Sequence, residues 1–140
     1  TLATTAALLL VAVAVAVGRR LTDAGDSPIA RIVEAMPMRY VVAFGAFCAP
    51  LPEELFYRNF LGRLGVGLVG AQSVVGRVIA PAMVFVAVHA MQLEGAWLGL
   101  VPIAAVGLTN GALRWYTRGL VVPWAVHTLY NGVLALTALA

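Results

Sequence analysis

The sequence predicts an all-α, polytopic integral membrane protein built as a helical bundle of about five helices. Three observations predict it. Of the 140 residues 62% are hydrophobic, against roughly 45–50% in an ordinary soluble domain. The mean hydropathy is +0.96, and the apolar residues fall in long runs separated by short polar or charged breaks. A bilayer core of about 30 Å takes roughly 20 predominantly apolar residues per helix, and several runs approach that length.

The first expected helix covers about 2–17 and stops at Arg19 and Arg20. Its arginines follow the apolar run instead of preceding it, which favours a membrane helix over a signal peptide. The chain starts at Thr1 without an initiating Met, as a fragment or processed form would, and helices upstream are left open. LTDAGDSP then disfavours helix and reads as the clearest linker, and 29–36 is expected to form a short interfacial helix. The predicted organisation is therefore an N-terminal transmembrane helix over 1–20, a connector over 21–38 and one membrane domain over 39–140.

Within that domain the apolar window 39–63 is interrupted by Pro50 and Pro52, which predicts a kink or two abutting helices. The five glycines of 62–76 predict a loop. A helix to about residue 91 follows, starting near Ala80 with Pro81 in its first turn or kinked there. Further helices are expected over about 96–116 and 120–139. Trp97, Trp115, Tyr116 and Trp124 read as interface anchors, Asn110 as a packing residue among small neighbours, and Glu94 as a loop residue. Single crossings put Arg19, Arg20, Arg31 and Arg39 on one side and Arg63, Arg77, Arg114 and Arg118 on the other, so arginine placement assigns no orientation.

The nine basic residues, all arginines, face six acids for a net charge of +3. They are scattered between apolar runs rather than gathered in a patch, which argues against a nucleic-acid partner. A single cysteine, Cys48, excludes an intrachain disulfide framework and a multi-thiolate metal site. It reads as core packing.

Ionisable residues inside such helices cost roughly 2.5–3.5 kcal/mol each on insertion scales, so each needs a reason. In PLPEELFYRNF, Glu54 and Arg58 are four apart and share a helical face, where an ion pair offsets part of that cost. Glu53 is left without a partner. Two adjacent carboxylates in a poorly hydrated site resist simultaneous ionisation, which suits general acid–base work near neutral pH. The blander account puts both glutamates in a first turn after Pro52, where the helix dipole favours anions.

The only two histidines also lie in apolar helices. Phe85 and His89 share one face at i, i+4, and so do His127 and Asn131. At about 1.5 Å per residue, simple serpentine crossing puts Glu53, His89 and His127 on the order of 10–18 Å from the same side of the bilayer, so they are able to meet.

EELFYR (Glu53 to Arg58), FVAVH (Phe85 to His89) and HTLYN (His127 to Asn131) together resemble the CAAX-processing and bacteriocin-processing (CPBP) intramembrane proteases, the type II CAAX prenyl endopeptidases among them. That family carries EExxxR, FxxxH and HxxxN or HxxxD in this order. The resemblance covers roughly the last 90 residues. Gly107 and Gly111, TRGL and Pro123 fit it as well, while Asn59 stands where the family often has glycine.

The resemblance implies a membrane peptidase in which Glu53 and His89 activate a water. His127 and Asn131 would stabilise the oxyanion, with Glu54, Arg58 and Phe85 in support. It implies a peptide or protein substrate at the bilayer and a place in the cytoplasmic membrane of a prokaryote. The cofactor is open: the HExxH spacing of common zinc peptidases is absent and a metal-free mechanism is favoured, with zinc on Glu53, His89 and His127 as the variant. Prenylated CAAX proteins and bacteriocin-related peptides are both open as substrates. The competing reading is non-catalytic, a proton or ion relay or a partner-binding scaffold. A relay needs a continuous polar path across the bilayer, whereas these residues gather at one depth.

Overall fold

Proline cannot donate a backbone hydrogen bond, and its ring crowds the carbonyl four residues back. In this chain the helices widen ahead of their prolines instead of breaking. The structure, a computed structural model, describes residues 31, 35–70, 72–93 and 97–137. The expected helix over 2–17, most of the 21–38 connector and Glu94 lie outside the described residues.

Helix α1 follows a continuous helical path over 38–69, in alternating registers. Met38–Tyr40 is α, Val41–Cys48 is π, Pro50–Glu54 is α, Leu55–Leu61 is π and Gly62–Val69 is α. Ala49, between the first π stretch and the α turn at Pro50–Glu54, has helical dihedrals, φ −64° and ψ −43°. Its N–H bonds to Phe44 O, five residues back, at 2.8 Å. A π register lengthens the hydrogen-bond step by one residue, which spares the ring of Pro50 its clash. The expected kink is thus taken up as a change of helical register. It also leaves no helix N-terminus before the glutamates, so a first-turn dipole does not account for them.

Helix α2, Val75–Gln92, repeats the device with a π stretch at Val75–Ile79 just before Pro81. One 3₁₀ turn, Trp97–Gly99, leads into α3 (Leu100–Thr117), and α4 spans Val121–Thr137. Among the described residues all regular structure is helical.

The loop expected over 62–76 is a correction. Gly62–Val69 is helical, and the break comes only at Gly70, whose φ of 96° suits glycine. The glycines serve close packing instead. A Cβ on Gly65 would meet the Gly76 carbonyl, and one on Gly76 would lie 2.6 Å from Gly65 O, so α1 and α2 touch backbone to backbone there. Gly65→Ala is expected to cost about 1–3 kcal/mol through overpacking, measured as a drop in denaturation midpoint in detergent. An unchanged midpoint would refute the contact.

Helix α2 packs on α3 and on the second half of α1, while α4 packs on α3 and on the first half of α1. Gly107 and Gly111 bring α3 against Ala82, Phe85 and Val78 of α2, and Val106, Leu113, Val126 and Tyr130 form the apolar core between α3 and α4. The burial pattern is inverted relative to a soluble domain. Phe44, Phe47, Phe60, Met83 and Leu129 face outward while Glu54, Arg58, Asn110 and His127 are buried. An apolar exterior around a polar interior suits a lipid environment.

By length and composition one described helix, α2, with a mean hydropathy of 1.5, is able to cross a membrane, and Val121–Leu136 is apolar but shorter. Cys48 is exposed, a correction to its expected core position. Trp97 and Tyr116 are exposed as interface residues would be. Trp115 is half-buried, and Trp124 buries its Nε1 in the bundle.

Candidate active site

Glu54 is the hub of the buried polar cluster. It points inward from α1 with 1% of its side chain exposed, and three groups from three helices reach it. Arg58 Nε lies 3.3 Å from Oε2, one turn along α1. Asn110 of α3 donates from Nδ2 to Oε1 at 2.9 Å, and His127 of α4 places Nδ1 at 2.9 Å from the same oxygen. A carboxylate at an accepting distance assigns the His127 proton to Nδ1. Nε2 is thereby turned toward Glu53.

Glu53, the preceding residue, sits about 100° round the helix from Glu54 and is 30% exposed. Its Oε2 lies 3.6 Å from His127 Nε2, too far for a direct hydrogen bond and a spacing that a water can bridge. His127, His89 and Arg58 lie near enough to Glu53 to act on its carboxylate, as does the adjacent Glu54. The two adjacent glutamates therefore differ in character: one is tied into the fold and the other faces accessible space.

Phe85 holds the histidines in place. Its ring is 4.2 Å from that of His89 and 5.7 Å, edge-on, from that of His127, with Tyr57 edge-on at 5.0 Å. The Arg58 guanidinium lies 5.3 Å from the Phe85 ring centre, within cation–π range. The Phe85 carbonyl accepts a 2.8 Å hydrogen bond from His89 Nδ1. Since a carbonyl only accepts, His89 carries a proton on Nδ1, and Nε2 is the ring nitrogen left for another partner.

Asn131 is placed by a proline. In the π register ahead of Pro50 the donor for Gly45 O would be the Pro50 nitrogen, which carries no hydrogen. Asn131 Nδ2 supplies the bond instead, at 2.8 Å. This ties α4 to α1 and uses one of two amide hydrogens. Asn131→Ala is expected to cost about 0.5–1 kcal/mol of stability, read from denaturant titrations in detergent. A loss of several kcal/mol would mean that the bond does more than dock α4.

Glu53, Glu54, Arg58, Phe85 and His127 are therefore in one contact network, His89 stacks on Phe85, and Asn131 lies one turn from His127 with its amide turned to Gly45. Asn110, read from the sequence as a packing residue, belongs to the network and is fully buried. Its signal was an amide within an apolar helix, in a setting of glycines. Among the described residues no three His, Cys, Asp or Glu side chains converge to hold a metal ion. Glu53, His89 and His127 as placed here do not converge as a zinc site.

A helical bundle with an apolar exterior and a buried carboxylate–imidazole–amide cluster belongs to the class of membrane-embedded helical proteins with an internal polar site. The family model for type II CAAX prenyl endopeptidases, Rce1-like, matches residues 35–133, and the chain belongs to that family. The family is one of membrane-embedded proteases. No curated protein and no solved structure matches the chain.

Proposed function

We propose that the protein is an intramembrane endopeptidase of the CPBP type, in which a water activated by Glu53 and His89 hydrolyses a peptide bond. The observation that carries this reading is the contrast within the glutamate pair: Glu54 is consumed by Arg58, Asn110 and His127, while Glu53 keeps an accessible carboxylate beside two imidazoles.

Attack on a peptide carbonyl needs a base for the water and donors for the developing oxyanion. Glu53 takes the proton of a water held between its carboxylate and His89 Nε2. The hydroxide attacks the carbonyl carbon, and the negative charge moves to the carbonyl oxygen. His127 Nε2, when protonated, and the second Asn131 hydrogen donate to that oxygen. Glu54 holds the His127 ring through Nδ1, and Arg58 holds Glu54. Collapse breaks the carbon–nitrogen bond, and the proton held by Glu53 passes to the leaving amine.

The match to the type II CAAX prenyl endopeptidase family favours prenylated proteins as substrates, with bacteriocin-related peptides as the second class. We also place the chain in the cytoplasmic membrane of a prokaryote, with the domain over 39–140 crossing several times. A relay is disfavoured by the gathering of the polar cluster inside the bundle, with apolar outward faces on α1 and α2, and a scaffold by the intact EELFYR, FVAVH and HTLYN motifs.

The test is cleavage of a fluorogenic peptide panel, including prenylated members, by detergent-solubilised protein with and without a chelator. Cleavage that persists in chelator supports the proposed water activation, and cleavage lost in chelator and restored by zinc would replace it with a metal route. A folded protein that cuts no member would turn the assignment toward the scaffold.

A further inference from the structure

The EELFYR, FVAVH and HTLYN motifs lie on α1, α2 and α4, and α3 carries none of them. It does carry Asn110, which is 0% exposed and donates from Nδ2 to Glu54 Oε1 at 2.9 Å. Gly107 and Gly111 stand beside it where α3 closes on α2. An alanine or valine at this position would bury no polar side-chain atom. The asparagine instead leaves its Oδ1 buried without a hydrogen-bonding partner among the described residues, an arrangement that costs stability. The amide is therefore kept for what it donates rather than for how it packs.

The bonds at Glu54 say what that donor does. Arg58 Nε approaches Oε2 at 3.3 Å as an ion pair, but Oε2 accepts no aligned hydrogen bond among the described residues. Charge attraction of this kind keeps a carboxylate close without fixing the plane of its oxygens, because the terminal torsion of a glutamate is broad. Direction comes from aligned bonds, and both of these fall on Oε1, from Asn110 Nδ2 and His127 Nδ1, each at 2.9 Å. His127 is the donor whose other ring nitrogen faces Glu53. Asn110 has no titratable proton, so it holds its direction whatever the charge on the imidazole. We propose that Asn110 is a positioning residue, which fixes Glu54 Oε1 against His127 Nδ1 and so keeps the His127 proton on Nδ1 with Nε2 turned toward Glu53. Its effect on rate rests on the peptidase reading of the site; its effect on the His127 ring does not. Without the amide the Glu54 carboxylate is free to turn toward Arg58, and His127 loses its fixed acceptor and samples the other tautomer.

The experiment compares wild type, Asn110→Ala and Asn110→Val as full chains in detergent, labelled with heavy nitrogen at histidine. Alanine leaves room at the site and valine fills most of it; neither has a donor. The ring-nitrogen resonances of the only two histidines are read in mildly alkaline buffer, with His89 as internal reference because its Nδ1 bonds to Phe85 O within α2 at 2.8 Å. Wild type is expected to show a protonated Nδ1 on His127. In the variants that signal moves toward the unprotonated position while His89 stays in place. On a peptide that wild type cuts, kcat and kcat/KM are expected to fall together with KM held, the pattern of an interaction that counts in the transition state. The fall should be about 10–100-fold, the range seen when a partner that orients a ligating imidazole is lost. A packing role would lower the thermal midpoint and leave the tautomer and the kcat of folded protein unchanged. An unprotonated Nδ1 on His127 in wild type overturns the proposal before any variant is made. So does wild-type kcat in a folded variant, or a spectrum in which His127 stays in place or His89 moves as far as His127; the peptidase reading survives each of these. If wild type cuts no peptide, that reading falls and the tautomer measurement alone decides the role of Asn110.

Discussion

Glu53→Gln is expected to slow peptide cleavage by about 10²–10⁴-fold, the range supplied by a positioned general base, with little change in denaturation midpoint. Glutamine keeps the shape of the side chain and cannot take a proton. Stability should be nearly untouched because Glu53 is 30% exposed and its Oε2 lies 3.6 Å from His127 Nε2, beyond direct hydrogen-bond distance. Initial rates on a cleaved peptide, set beside thermal denaturation of the same preparations, check both halves. Equal rates in variant and wild type would remove Glu53 from the chemistry.

The second large effect is structural. Arg58→Leu is expected to lower the free energy of unfolding by about 3–5 kcal/mol, the range found when one partner of a buried pair is removed. Glu54, with 1% exposure, would keep a buried negative charge with Asn110 and His127 as its remaining partners. Arg58→Lys keeps the charge and loses the planar fork, so it should recover only part of the loss. Equilibrium denaturation in detergent separates the cases, and a leucine variant as stable as wild type would show that the pair does not hold the bundle.

The two glutamates thus report on different properties, and the sequence carried half of that distinction. The i, i+4 spacing of Glu54 and Arg58 is visible in one dimension, as is the shared face of Phe85 and His89. That Glu54 faces inward is settled by Asn110 and His127, which are 56 and 73 residues away. No local pattern encodes those contacts. Asn131 is similar: its bond to Gly45 O exists because Pro50 leaves that carbonyl without a backbone donor, a link visible only once the π register is known.

The expectations that fell short share a cause. Five glycines in 62–76 suggest backbone freedom in the sequence, whereas Gly65 and Gly76 are small so that two backbones can touch. The apolar neighbours of Cys48 do not indicate burial, because the exterior of the bundle is itself apolar. Hydropathy separates helix from loop in this chain far better than it separates inside from outside.

The measurement that bears most directly on the central claim is product analysis in water enriched in heavy oxygen. The wild-type protein is incubated with peptide substrates, and the fragments are weighed by mass spectrometry. The account predicts cleavage at an internal peptide bond with heavy oxygen in each new carboxylate, and much less of both products with Glu53→Gln. Intact peptides from folded protein across prenylated and unprenylated substrates, or equal product from the variant, would contradict it.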